Sequence, residues 1–328
     1  MGENELKAVE KLILRELELN ARTSFSSFGK KIRKSQQQIS YTVNSLKEAE
    51  VIQNFYTTID YSKLNVLQFR VYFKVNYIGE NELKNLINHL VADPHTSWIC
   101  SCGGRYDIVC TFFALNPSQF NKNLRNIMQQ FPSQIKNYTV LTTIVIRKFG
   151  RKYLFKNLSL LPAMVIGGDR EPEEVDEIDM SILDKISENA RKSCVALGNE
   201  LNITPKTVIN RIKKLQKEKI IRGFSPLLNL RKKGFKSTFL MIKYHNISSE
   251  VEVELINYLK VHKNVVNVVK TLGAWDLEIE IETENEKELR RIEMEIRQKF
   301  TLLIQQIESI PFYKSYKKNF FPKFLVEK

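Results

Sequence analysis

The segment ILRELELNARTS, Ile13 to Ser24, returns as ILDKISENARKS, Ile182 to Ser193, at an offset of 169 residues (182 − 13). The same offset pairs Leu46 with Leu215, Ile52 with Ile221, Phe55 with Phe224, Gly104 with Gly273, Asp107 with Asp276, Phe131 with Phe300 and Lys148 with Lys317. One register held over so much chain marks a tandem duplication, which constrains the architecture more than any local pattern. Each unit runs to about 150 residues. The join falls between Arg151 and Val175, where LPAMVIGGDREPEE supplies Pro, Gly and charge.

Within a unit the period of the apolar residues changes once. Three short helices are expected first, Leu6 to Leu17, Ser26 to Arg33 and Gln36 to Lys47, because apolar residues recur three and four apart, as in Ile39, Val43 and Leu46. Unit two repeats this with Val208, Ile212 and Leu215. Ser35 and Thr204 suit the N-caps of the third helices, and Pro205 suits a first turn, where its missing N–H is harmless. The segments VIQNFYTTID and IIRGFSPLLNL are β-prone and suit a two-stranded wing. From Leu67 to Tyr77 the pattern alternates, and the remainder of each unit reads β-α-β-β-α-β.

The expected fold is therefore α+β, with two tandem units, each a winged helix-turn-helix followed by a ferredoxin-like domain. The boundaries read as residues 1–62 for the first winged helix-turn-helix and 63–150 for the first ferredoxin-like domain. A linker follows at 151–175, then the second winged helix-turn-helix at 176–231 and the second ferredoxin-like domain at 232–328.

Fifty-one Lys and Arg against 37 Asp and Glu leave a net charge of +14, unevenly spread. Leu19 to Lys47 holds six bases and no acid, and Leu201 to Ser249 holds twelve bases and one acid, Glu218. Acids gather instead at Asp169 to Asp179 and Asp276 to Glu295. Basic surfaces set beside acidic ones make polyanion binding the first expectation. The longest strongly apolar stretch, Leu158 to Ile166, is far below the ~20 residues a bilayer needs, so no membrane partner is expected. The N-terminus mixes both signs of charge and lacks an apolar core, so no signal peptide is expected. Four Cys without framework spacing suit reduced thiols in a cytoplasm.

The first-helix pattern, the run ITPKTVINRIKKLQKEKIIRGF and the loops GRYD (Gly104 to Asp107) and GAWD (Gly273 to Asp276) resemble the Lrp/AsnC, or feast/famine, transcriptional regulators across nearly the whole chain, twice. The resemblance implies a sequence-specific regulator with double-stranded DNA as its partner, in which a DNA-binding winged helix-turn-helix precedes a domain that senses a small effector such as an amino acid. It implies two sheets packed face to face, hence an intramolecular pseudo-dimer or a homodimer that exchanges those partners. Departures concentrate in unit one. Arg33 and Asn202 stand where the family has Gly before the recognition helix. Lys34 matches Ile203, and Thr42 stands where unit two has Arg211.

The outward faces of the recognition helices are expected to carry Gln36, Gln37, Ser40, Tyr41 and Asn44 in unit one, and Lys206, Thr207, Asn210, Arg211 and Lys214 in unit two. Gln and Asn match an adenine edge, Arg a guanine, and Lys mostly phosphate, so the two heads should prefer different sequences. Arg22 and Arg191 suit either a phosphate or the end of the first helix, and the run Arg231, Lys232, Lys233, Lys236 suits either the DNA backbone or a solvated hinge. The resemblance places the effector at Gly104, Asp107, Gly273 and Asp276, where a carboxylate meets an ammonium; the bland alternative is a pair of hairpin turns.

Cys100, Cys102 and Cys110 match Val269, Thr271 and Ile279, which favours packing over metal ligation. No P-loop, HExxH, GxSxG or dinucleotide fingerprint is present, and neither enzyme activity nor a cofactor is expected. Two alternatives stay open. The sirohaem decarboxylases use the same two-domain fold, although their His-Asn-Tyr-type segment is missing from TSWICSCGGRYD and VNVVKTLGAWD. A low-specificity DNA-organising protein would share the charge.

Overall fold

The structure, a computed structural model, describes residues 5–76, 79–154, 163–245 and 249–327. Unit one runs α1 (Ala8–Leu19), α2 (Phe25–Ile32), α3 (Gln36–Glu48), β1 (Ile52–Ile59), β2 (Leu67–Val75), α4 (Glu80–Ala92), β3 (Thr96–Cys102), β4 (Ile108–Ala114), α5 (Pro117–Gln130) and β5 (Ile135–Lys148). A short strand β6 (Met164–Gly167) then leads to α6 (Glu177–Glu188), α7 (Cys194–Leu201), α8 (Pro205–Lys217), β7 (Ile221–Leu228), β8 (Lys236–Tyr244), α9 (Ser249–Val261), β9 (Val265–Gly273), β10 (Leu277–Thr283), α10 (Glu286–Lys299) and β11 (Ile304–Lys318). Every element of unit one has its counterpart 169 residues on. The element order is the expected one, save that the joining segment contributes β6.

Local chemistry sets the helix ends. Ser35 accepts from the Gln38 N–H while the Gln38 side chain accepts from Ser35, and Thr204 accepts from the Thr207 N–H ahead of Pro205. The turns before α3 and α8 need a left-handed residue, supplied by Arg33 at φ 54° and Asn202 at φ 53°. Gly29 and Gly198 sit against the Lys34 and Ile203 carbonyls, so a Cβ at Gly198 would lie 2.6 Å from the Ile203 oxygen. Arg is a poor left-handed residue, because its Cβ crowds the following carbonyl. Arg33→Gly is expected to raise unfolding free energy by about 1 kcal/mol, read as a higher Tm. An unchanged or lowered Tm would mean that the turn carries no strain.

The wing differs from expectation. Each unit contributes a single strand, and β1 pairs antiparallel with β7, Phe55 opposite Pro226, to form one ribbon between the two heads. A lone strand leaves its backbone groups unmatched, and the twin unit supplies the matching edge. The tie is reciprocal. Ala21 N–H donates to the Phe224 carbonyl at 3.0 Å and Ala190 N–H to the Phe55 carbonyl at 2.9 Å. Ile13, Leu17, Phe28, Ile39 and Val43 share one continuous core with Ile182, Ile186, Leu197, Val208 and Ile212.

Behind the heads, the ferredoxin-like halves join into a single sheet of order β2-β4-β3-β11-β8-β10-β9-β5, and β5 returns to β2, closing it into a barrel. The two halves meet along β3–β11 and β5–β9 within one chain. Tyr72, Val109 and Leu141 fill the interior from unit one, and Phe239, Met241 and Ile310 from unit two. Helices α4 and α5 cover the outer face of one half through Leu86, Leu90, Phe120 and Leu124, and α9 and α10 that of the other through Leu255, Leu259, Ile292 and Ile296.

One buried ion pair crosses the barrel. The Arg70 guanidinium meets Glu278, with side-chain exposures of 6% and 0%, and the Tyr72 hydroxyl donates to the same carboxylate at 2.6 Å. Arg70 also lies 5.2 Å from the Trp98 ring centroid and 5.6 Å from that of Phe239. The positions related by the repeat hold Phe239 for Arg70, Met241 for Tyr72 and Val109 for Glu278. The pair therefore occurs once, not twice.

Candidate nucleic-acid interface and sensing loops

The apolar stripes of α3 (Ile39, Val43, Leu46) and α8 (Val208, Ile212, Leu215) are buried, which turns the opposite faces outward. In unit one Gln36, Gln37, Tyr41 and Asn44 are exposed, Tyr41 at 77%, and Ser40 is half-buried. In unit two Lys206, Asn210 and Lys214 are exposed, and Thr207 and Arg211 are half-buried. Thr207 Oγ1 lies 2.8 Å from Thr204 Oγ1, within the cap.

Arg211 and Lys214 are tied back to the start of α6. The Arg211 guanidinium pairs with Asp176 and stands 3.2 Å from Asp179; Lys214 reaches Asp179 at 3.4 Å. Asp179 is fully buried, so these cations neutralise a carboxylate that water does not reach. The hydrogen bond from Arg211 holds the Asp176 carboxyl below the usual carboxylate range. Unit one has Lys7, Glu10, Thr42 and Ser45 at these four positions, and the network is absent there. Lys213 and Lys217, exposed on the same helix, were missed by sequence reasoning; apolar spacing locates the buried stripe well and the rim of the outer face poorly.

The repeated NAR arginines are structural. Arg22 Nη1 donates to the Ala190 carbonyl at 2.6 Å, and Arg191 Nη1 donates to the carbonyls of Ala21 and of Thr23, the latter at 3.1 Å. Each arginine closes the first-helix turn of the other unit, fixing one head against its twin. Burial lowers both their pKa values. The basic run after β7 is engaged as well: Arg231 donates to the Phe312 carbonyl at 2.7 Å, Lys232 pairs with Glu50 at 2.9 Å, Lys233 with Glu10 at 3.8 Å and Lys236 with Glu286 at 3.0 Å.

The two Gly-x-x-Asp loops are built alike. Gly104 has φ +81° and Gly273 φ +141°, conformations that other residues avoid. Asp107 accepts from the Val75 N–H at 2.9 Å and pairs with Lys74 at 3.1 Å; Asp276 accepts from the Tyr244 N–H at 2.8 Å and pairs with Lys243 at 3.1 Å. Each loop lies against the last strand of the other unit: Gly273 is opposite Leu141, and a Cβ at Gly104 would have Ser309 as its nearest neighbour. Tyr106 and Trp275 turn into the barrel interior, where both are buried.

Cys100 and Cys102 line the barrel interior and Cys110 lies beneath α4 and α5. Burial pushes the Cys100 thiol up to about 12 and raises the other two, so all three stay neutral packing groups. Among the described residues no cluster of His, Cys, Asp or Glu is arranged to hold a metal ion, and no helix is long and apolar enough to cross a membrane.

Two helix-turn-helix heads, joined by a ribbon and mounted on a closed sheet, define a DNA-binding regulator of duplicated build. A family model for the AsnC-type helix-turn-helix domain matches residues 175–216, the second head. An HTH-type transcriptional regulator of Pyrococcus horikoshii is 32% identical over 122 residues, covering 37% of this chain and 81% of that protein. The HTH-type transcriptional regulator Ptr1 of Methanocaldococcus jannaschii is 38% identical over 102 residues, 31% of this chain and 68% of that protein. The chain belongs to the Lrp/AsnC family of DNA-binding transcriptional regulators. Among solved structures, the siroheme decarboxylase NirDL superposes with a TM-score of 0.62 at 13% identity, over 97% of this chain and 96% of that one, a likeness of fold.

Proposed function

We propose that the chain reads an asymmetric DNA target, with one head offering amide and aromatic groups and the other offering lysines. The carrying observation is the difference between the outward faces of α3 and α8, held in one fixed relation by the β1–β7 ribbon and the Arg22 and Arg191 bridges. Gln36, Gln37, Ser40, Tyr41 and Asn44 then address base edges in one half-site. Lys206, Thr207 and Asn210 address the other, and Arg211 and Lys214 hold α8 in place against Asp176 and Asp179. Selection of bound fragments from random duplex DNA should return two unlike half-sites. Perfect inverted repeats would refute the asymmetry, and the absence of any enriched sequence would favour a DNA-organising protein.

The reading extends to a small effector at Gly104, Asp107, Gly273 and Asp276. The half-exposed Lys74–Asp107 and Lys243–Asp276 pairs set a cation beside an anion, the complement of an amino-acid zwitterion. Asp107→Asn with Asp276→Asn should abolish any calorimetric response to a mixture of free amino acids. An undiminished response would place the effector elsewhere. Such a regulator works in the cytoplasm and not as an enzyme. The whole-chain likeness to NirDL favours decarboxylase chemistry as the second reading. A Soret band that shifts and saturates when the iron tetrapyrrole is added, followed by loss of carboxylate groups, would establish it.

A further inference from the structure

The duplication should produce two equivalent clefts where the ribbon and heads meet the barrel, yet the joining segment treats them unequally. On one side β6 pairs antiparallel with β5, from Val145 opposite Gly167 to Lys148 opposite Met164. The Gly167 N–H donates to Asp60 at 2.9 Å, and Ile166 packs with Tyr61, Val66, Phe113 and Ile146. The acidic residues that follow finish the seal. Lys63 Nζ meets Glu173 at 2.8 Å and the Glu171 carbonyl at 2.9 Å, and the Glu173 N–H donates to the Lys63 carbonyl at 2.9 Å. The occupant of this cleft is thus an extended strand with an acidic tail.

The other cleft is open, with a volume of about 840 Å³. Its walls are the repeat partners of the filled one: Leu230 for Tyr61, Phe235 for Val66, Glu282 for Phe113, Ser315 for Ile146 and Lys232 for Lys63. Beyond Phe312, where β8 stops pairing, no described strand lies along the outer edge of β11; β5 carries β6 at the equivalent place. An unpaired edge is a ready template for another strand. Six cations line the cleft, including Lys47, Lys314 and Lys318, against three acids, of which Glu282 is held by Arg151 and Glu50 by Lys232. The same Arg151 reaches Glu18 on α1, so the cleft floor ties head to barrel.

We propose that this open cleft binds an acidic, extended peptide segment of a partner protein, which adds as a strand to β11 over Lys314–Lys317, as β6 does to β5. Backbone pairing supplies the fit and the lysines select the charge. The segment would touch Ile52 and Asn54 on the ribbon and Phe312 on the barrel at once, bridging the heads and the barrel.

The test uses the full chain and an acetylated octapeptide, Val-Glu-Val-Glu-Val-Gly-Asp-Glu amide. Saturable binding is expected at low salt, with hydrogen exchange slowed at Tyr313–Lys318 and a change in Trp98 fluorescence. Alternate N-methylation of the peptide, and separately Lys314→Glu with Lys318→Glu, should each weaken it by about tenfold or more. Unchanged melting temperature of the double variant shows that its fold is intact. No binding, binding indifferent to N-methylation, protection confined to another surface, or equal competition by citrate would each overturn the proposal. None of these outcomes bears on DNA selection by the heads.

Discussion

Glu278→Met is expected to lower the unfolding free energy by about 3–5 kcal/mol, measured by urea titration, because it leaves the Arg70 guanidinium buried without its carboxylate. Arg70→Met should cost less in mild acid than at neutral pH. Burial already pushes the Glu278 carboxyl up, and loss of Arg70 removes the main group pulling it down. A carboxyl whose pKa is raised by folding destabilises increasingly as pH rises above its unfolded value of about 4.3, so this variant should regain stability as pH falls toward that value. The double variant, Arg70→Met with Glu278→Met, should recover most of that loss, since an apolar pair of similar volume replaces an expensive ionic one, and fall short of the parent by about 1–3 kcal/mol for the Tyr72 hydroxyl that loses its acceptor. A double variant no better than the singles would mean that the pair is net stabilising. The asymmetry gives the pair its purpose. Unit one pairing with a second unit one would set Arg70 against Val109, and unit two with itself would set Glu278 against Phe239 and Met241. Both buried charges are matched only when unlike units face each other.

Lys206→Ala and Lys213→Ala should each make the logarithmic salt dependence of DNA affinity shallower by about 0.9, the slope per phosphate contact on duplex DNA. Together they should weaken binding at low salt by more than about tenfold, read by fluorescence anisotropy on a labelled fragment. Both side chains are exposed on α8 and enter no ion pair among the described residues. Arg211→Ala should behave differently. It leaves buried Asp179 with Lys214 alone, so the melting temperature should drop while the salt slope holds. A changed slope without a stability loss would return Arg211 to direct contact with DNA. The basic run Arg231, Lys232, Lys233 and Lys236 is already engaged by carbonyls and carboxylates.

Much of this molecule could be read in advance because its signals are local or repeated. Helices α3 and α8 declare themselves through a three-four apolar spacing, a capping hydroxyl and, in α8, a proline in the first turn. The turn before each stood out as Arg33 and Asn202 in the place where the family has Gly, and the structure gives both a left-handed backbone. Arg22 and Arg191 were ambiguous in sequence, since a cation near a helix end has the same composition whether it meets a phosphate or a carbonyl. The structure assigns them to carbonyls of the opposite unit.

By itself the sequence determined the duplication, the order of elements in each unit, the buried stripes and the basic character of the heads, because these follow from short-range periodicity and from one constant offset. Tertiary structure alone decided how the copies meet. It joined two lone strands into a shared ribbon, closed two sheets into one barrel around a single Arg70–Glu278 pair, and sent β6 into one cleft while leaving its twin open. Those outcomes depend on which unpaired backbone edges and buried charges come together across more than a hundred residues, and no local pattern encodes such a distance.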